Sequence, residues 1–175
     1  ETAVFPQAIG LAAIFDEDFH EMVASVISTE ARAKYNGQSA HGDRDIYKGL
    51  SMWSPNINIF RDPRWGRGHE TYGEDPYLTS RLGVRFIKGL QGNGKYLKVA
   101  ACAKHFAVHS GPEAIRHSFD AVANPKDMNE TYLPAFEAAV KEAKVESVMG
   151  AYNRVNGEPA CLSLIHISEP TRLRR

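Results

Sequence analysis

Two cysteines in 175 residues, Cys102 and Cys161, stand far apart and match no metal-binding spacing. A disulfide-framed or zinc-stapled domain is therefore not the expectation; free, buried thiols are. Surplus charge of either sign is also missing. Lys+Arg and Asp+Glu balance at 21 each, so no basic excess points to nucleic acid or to an acidic membrane surface. No apolar run approaches the ~20 residues that cross a bilayer. There is no internal repeat, no low-complexity tract and no signal-peptide pattern. The chain opens at Glu1 rather than Met, so that last absence says nothing of its compartment. With 43% hydrophobic residues, the chain has enough apolar content for one domain, or part of one, with a true core.

Guanidinium and carboxylate groups crowd into one stretch, Asn56-Ile-Asn-Ile-Phe-Arg-Asp-Pro-Arg-Trp-Gly-Arg-Gly-His-Glu-Thr-Tyr-Gly-Glu-Asp-Pro76. An extended run over residues 52–60 empties into a loop carrying Arg61, Arg64 and Arg67 among Asp62, Glu70, Glu74 and Asp75. Gly66, Gly68 and Gly73 permit tight turns, and Pro63 biases Asp62 away from helix. Such a loop is a cross-braced knot, a site for a hydroxyl-rich or anionic ligand, or both. In the mixed case some arginines pair internally and one points at a ligand.

The remaining chain alternates between strand and helix signals. Asp16 is placed to cap a helix to about residue 34, whose buried face is expected to carry Phe19, Met22, Val23, Val26 and Ile27. Residues 52–60 predict a strand, 77–90 a helix, 97–108 a buried strand and 145–151 a further short strand. Between the last two, Asp127 and Glu130 have capping-box spacing, ahead of a helix burying Leu133, Phe136 and Val140. This order argues for parallel βα units, which a doubly wound sheet and a (β/α)8 barrel satisfy equally. The spacing Gly89-Leu-Gln-Gly-Asn-Gly-Lys95 imitates a phosphate loop, but Tyr96 follows where Ser or Thr is needed, and the helix precedes the glycines. It predicts a helix-terminating turn.

Chemistry in barrels gathers at the C-terminal ends of strands. The Lys104-His105 pair falls at one such end, and a lysine on a buried strand needs a partner. A neighbouring carboxylate or a ligand would serve. His105 and His109 stand four apart, but a strand running into Ser110-Gly111-Pro112 gives them no helix from which to face one metal. The segment Val148-Met-Gly-Ala-Tyr-Asn153 marks another strand end, where Tyr152 fits a ligand wall or a satisfied core tyrosine.

Residues 56–76 resemble the signature of the N-terminal barrel domain of glycoside hydrolase family 3. The resemblance extends to Phe5-Pro-Gln-Ala-Ile-Gly-Leu-Ala-Ala13, Ala103-Lys-His-Phe-Ala107 and Glu146-Ser-Val-Met-Gly-Ala-Tyr-Asn-Arg-Val-Asn-Gly-Glu-Pro-Ala160, and so covers residues 4–161. It implies an α/β fold: a partial (β/α)8 TIM-type barrel whose closing strands are missing, since a full barrel takes about 250 residues. It implies a retaining exo-acting β-glycosidase without metal or cofactor. The β-xylosidase type is favoured, β-glucosidase is the runner-up, and a catalytically silent carbohydrate-binding barrel is the alternative.

By that resemblance Arg67 meets sugar hydroxyls in the innermost subsite, while Arg61 and Arg64 brace the loop. Lys104 and His105 hold adjacent hydroxyls, Arg116 adds a basic contact, and His117 has a weaker claim. Met149 and Tyr152 flank the anomeric centre. The substrate is then an oligosaccharide or β-glycoside, and a secreted or periplasmic parent protein is favoured. No nucleophile or acid/base is assigned within the chain. Ser163-Leu-Ile-His-Ile-Ser-Glu-Pro-Thr-Arg172 departs from the family, and residues 162–175 are expected to be a non-native read-through tail. Arg67, Lys104, His105 and Tyr152 should converge, which requires a bend, bulge or cis bond at the Lys104-His105 step, because strand neighbours point to opposite faces.

Overall fold

The structure is a computed structural model describing residues 2–161; the tail expectation therefore lies outside the described residues. Its helical layer begins with α1 (Ala8–Ala12) and α2 (Glu17–Ala40). Asp16 caps α2 by accepting from the Phe19 amide at 2.9 Å, as its position predicts. The buried face of α2 is rotated from the one expected. His20, Val23, Ala24 and Ser28 are buried, whereas Met22 and Val26 are exposed. The neighbouring helix selects small residues for its contact, so the buried stripe is narrower than hydropathy alone suggests.

That neighbour is α3 (Pro76–Gln91), capped by Asp75 through the Leu78 amide at 2.6 Å and ended by Gly92 at φ 71°. The phosphate-loop imitation is thus a helix C-terminus. A Cβ on Gly89 would lie 2.3 Å from the Glu21 carbonyl oxygen, so only glycine lets α3 approach the backbone of α2. Ser28 Oγ donates to the Gly89 carbonyl across the same contact at 3.1 Å. Leu82, Val84, Ile87 and Leu90 of α3 form the core with Ile57, Val99, Ala101, Ala103 and Phe136.

Three parallel strands, β1 (Ser51–Met52), β2 (Ala100–Phe106) and β4 (Ser147–Gly150), make the main sheet in the order β1-β2-β4. Strand order follows chain order. The intervening helices α3 and α5 (Pro134–Lys141) pack on one another, hence on the same face. A doubly wound sheet reverses direction and places helices on both faces. This is single winding, as in a barrel, and the described strands do not close a ring. A small side sheet joins β3 (Asp120–Ala121), β5 (Arg154–Val155) and β6 (Glu158–Pro159).

Two expected elements differ. The strand over residues 52–60 is a regular ladder only at β1. A cis Ser54-Pro55 bond follows, and the extended chain then rejoins β2 through a single bridge, Asn56 with Lys104. The helical stretch before α5 is capped by Asn124, which accepts from the Asp127 amide at 2.8 Å and opens α4 (Pro125–Asp127). A π-helical turn, Met128–Tyr132, separates α4 from α5. Asn124 directly precedes Pro125, a residue suited to the first helical position, so it is better placed to cap than Asp127. Phe136 is buried in α5, while Leu133 and Val140 are only partly covered.

The sheet's other face is held by asparagines. Asn58 Nδ2 donates to the carbonyls of His105 (2.8 Å) and Ala107 (2.9 Å), and Asn58 Oδ1 accepts from the His105 amide at 2.8 Å. One side chain thereby replaces the ladder that the chain lacks beyond Asn56. Asn58→Ala should cost about 3 kcal/mol, because buried backbone groups lose their partners. Asn58→Asp should cost as much, since a carboxylate cannot donate to two carbonyls. Urea unfolding of the variants beside the parent checks both; a loss below about 1 kcal/mol for either contradicts this role.

Candidate active site

Arg67 does not stand free in its loop. Its Nε and Nη2 donate to Glu70 Oε1 and Oε2, both at 2.7 Å, a bidentate pair three residues apart. Its Nη1 faces His105 Nε2 at 3.1 Å. These contacts leave one N–H on each terminal nitrogen for another partner. The pairing raises the Arg67 pKa and lowers that of Glu70, so Glu70 is a locked carboxylate. Arg64 is the loop's brace, fully paired with Asp62, whose carboxyl is lowered to about 2 by the hydrogen bond. Arg61 pairs with no acid among the described residues. Its Nη1 donates to the Tyr132 hydroxyl at 3.1 Å, and the guanidinium lies over the Phe119 and Tyr132 rings. Three of the loop's four acids are engaged elsewhere, Asp62 by Arg64, Glu70 by Arg67, and Asp75 as a helix cap. Trp65 is buried against Phe60 and His109 and serves as packing.

Side-chain parity changes along β2. Ala101 and Ala103 pack into the helix-side core, but so does Phe106, an even-numbered residue. The peptide bonds Lys104-His105 and Phe106-Ala107 are cis, and the register against β4 shifts between Lys104 and Phe106. Lys104 and His105 consequently both face away from the helices. Lys104 Nζ has no hydrogen bond or ion pair among the described residues. Burial lowers its pKa, Arg67 lowers it further, and Glu70 opposes them.

His105 is almost fully buried, 3% exposed. Its Nδ1 lies 3.2 Å from Asn58 Oδ1, a pure acceptor, so Nδ1 carries the proton and Nε2 accepts from Arg67. His109 lies against it at a tilt of 42° with ring centroids 4.4 Å apart, and its Nδ1 lies 2.9 Å from Asn153 Oδ1. Both histidines are thus oriented by asparagines, and burial lowers the pKa of each.

At the end of β4, Met149 is paired with Lys104 in register. Tyr152 is 68% exposed, so it is not a core tyrosine. Its ring meets His117 (5.0 Å) and His109 (6.3 Å). Arg116 Nη1 pairs with Glu113 Oε1 at 3.1 Å. The six residues singled out in the sequence therefore lie around one end of the sheet, Arg116 through the loop after β2. Of the cysteines, both are free and Cys102 is buried, but Cys161 is exposed, against expectation.

Sequence reasoning missed Asn58. Asn56 and Asn58 alternate with Ile57 and Ile59 inside a strand, and that was the available signal: a buried polar face opposite a buried apolar one. The neutral His105 has a measurable consequence. Burial first, then His109 and Arg67, push its pKa down from 6.5 to about 2. Because the unfolded chain binds this proton first, the contribution to stability is complete above about pH 6.5 and is lost as pH falls towards 2. The loss should reach up to about 1.4 kcal/mol per pH unit in that window. Denaturant unfolding between pH 7 and 4 should show a shallower acid slope for His105→Asn than for the parent; equal slopes contradict a neutral, buried His105.

Residues 1–172 match the profile of the glycosyl hydrolase family 3 N-terminal domain. The chain is 52% identical over 162 residues to a xylan 1,4-beta-xylosidase of Xylanibacter ruminicola, covering 90% of this chain and 19% of that one. It is 48% identical to beta-D-xylosidase 3 of Arabidopsis thaliana, over 90% of this chain and 20% of the relative. Among solved structures, the exo-beta-xylosidase XlnD in complex with a xylobiose aziridine probe superposes with a TM-score of 0.82 at 37% identity, over 91% of this chain and 20% of that chain. Beta-glucosidase 3B of Thermotoga neapolitana, in complex with alpha-D-glucose, does so at 0.80 and 31% identity, over 98% and 21%. The chain spans about a fifth of the length of these relatives. With single-wound parallel strands and the arginine loop at their C-terminal end, the chain belongs to glycosyl hydrolase family 3, as part of its N-terminal domain.

Proposed function

We propose that this chain supplies the sugar-recognition groups of a retaining exo-acting β-glycosidase that removes terminal β-linked xylose, with glucose the second choice. The observation that carries the proposal is the gathering of Arg67, Lys104, His105, Met149 and Tyr152 at one strand end, with Lys104 Nζ unpaired among the described residues. An unpaired half-buried ammonium is costly unless a ligand completes its shell. A sugar offers adjacent hydroxyls that accept from Lys104 and from the remaining N–H groups of Arg67. The names of the relatives favour xylose.

In this reading Glu70 holds Arg67 in one plane and His105 fixes its edge, so the guanidinium is positioned before substrate arrives. Arg116 adds a second cation from the next loop. Met149 forms an apolar wall, and the exposed Tyr152 hydroxyl is available near the reacting carbon. Retention of configuration needs two carboxyls about 5–5.5 Å apart, one attacking and one protonating the leaving oxygen. Glu70 is tied to Arg67 and is unsuited to either task. Both catalytic carboxyls are assigned to protein sequence outside this chain.

The test is hydrolysis of aryl β-xyloside and aryl β-glucoside by a protein extended to the length of its relatives, beside the 175-residue chain alone. The extended protein should prefer the xyloside, and the chain alone should be inert. Lys104→Ala and Arg67→Ala should each lower kcat/KM about 10²-fold, as expected for lost charged hydrogen bonds. Turnover by the chain alone, abolished by replacing one of its own carboxylates, overturns the assignment. Sugar binding without turnover in the extended protein identifies a silent carbohydrate-binding barrel instead.

A further inference from the structure

Glu113 touches both loops that carry the cations, and the sugar-recognition reading above gives it no task. Its Oε2 accepts from the Gly66 amide at 3.1 Å, directly before Arg67. Its own amide donates to the Arg64 carbonyl at 3.0 Å. Its Oε1 pairs with Arg116 Nη1 at 3.1 Å. A Cβ on Gly66 would lie 2.9 Å from the Glu113 carboxyl carbon and from Oε2, so the approach depends on glycine at that position. Arg116 Nε is buried and has no hydrogen-bond partner, leaving Glu113 as the only ionic hold on that guanidinium among the described residues.

We propose that Glu113 is a positioning residue: one carboxylate clamps the arginine loop to the loop after β2 and sets where Arg116 presents its guanidinium to substrate. The inference rests on the recognition role given to Arg116. Glu113 does not reach the sugar. It acts through Arg116 and through the backbone flanking Arg67. A partly exposed ion pair contributes little to folding, so its effect belongs in kinetics rather than in stability. Glutamine at position 113 keeps an acceptor for the Gly66 amide and removes the charge that holds Arg116, which separates the two halves of the clamp.

The experiment is a double-mutant cycle in the extended protein, with two readouts. For aryl β-xyloside, Glu113→Gln should lower kcat/KM about tenfold with Tm unchanged; in an Arg116→Ala background the same substitution should change it less than about twofold. Gly66→Ala, which crowds the carboxylate from the other side, should reproduce the loss when Glu113 is present and be close to silent in Glu113→Ala. The second readout is solvent exchange of the Arg116 Nε–H followed by NMR, which needs no turnover. It should be slow in the parent and faster in Glu113→Gln. An undiminished kcat/KM, a loss of equal size in the Arg116→Ala background, or unchanged Arg116 exchange overturns the proposal. If the extended protein cleaves neither glycoside, the functional reading fails, and the exchange measurement alone decides for or against Glu113.

Discussion

The hydrogen bonds of the Asn58 side chain to the backbone of His105 and Ala107 are the constraint on which the candidate site depends. Beyond Asn56 the extended chain no longer pairs regularly with β2, yet it must deliver the arginine loop to a fixed place beside that strand. Asn58 does so from inside the sheet, and the same Oδ1 also sets the tautomer of His105. The orientation of Arg67 then follows from His105 and Glu70. A chain of polar contacts thus begins at a buried amide and ends at a guanidinium, each member fixed by the one before it. Partly satisfied networks of this kind are costly in a low-dielectric setting, whereas satisfied ones rigidify.

A second layer of the same logic links the loops. Asn153 bonds His109 and donates to the carbonyls of Val108 and Arg154, tying the end of β4 to the chain after β2. Trp65 from the arginine loop presses edge-on against the same histidine. Three strand ends are therefore joined through His109, a residue whose spacing from His105 first invites a metal reading. Its Nδ1 is instead used in cross-bracing, and both imidazoles are held neutral by burial first of all.

Much of this was legible in the sequence, and the parts that were not have physical causes. Asp16 and Gly92 ended their helices as read, because capping chemistry is local. The arginine loop and the Lys104-His105 step were found because polar groups stand out within apolar runs. The buried face of α2 was misjudged at Met22 and Val26, since the approach permitted by Gly89 is a tertiary fact. Asn124 displaced Asp127 as a cap because Pro125 follows it. Arg61 turned to aromatic rings while Asp62, Glu70 and Asp75 were engaged by other partners, a competition that spacing cannot reveal. The parity change on β2 was anticipated as a need, although nothing in the residues said which backbone device would meet it.

The pairing of cations has a consequence for what the site refuses. Arg67 carries Glu70, and Arg116 carries Glu113, so two of the three cations near the strand end are already neutralised. A visitor meets oriented N–H groups rather than a strong positive potential. In the sugar-recognition reading an anion gains ionic attraction from Lys104 alone, while uncharged hydroxyls can use the donors of all three cations. Ionic strength, which screens fields but not short hydrogen bonds, has little purchase on it. In the proposed reading, discrimination rests on where donors point, and Glu70 and Glu113, paired with Arg67 and Arg116, set that direction without touching the ligand.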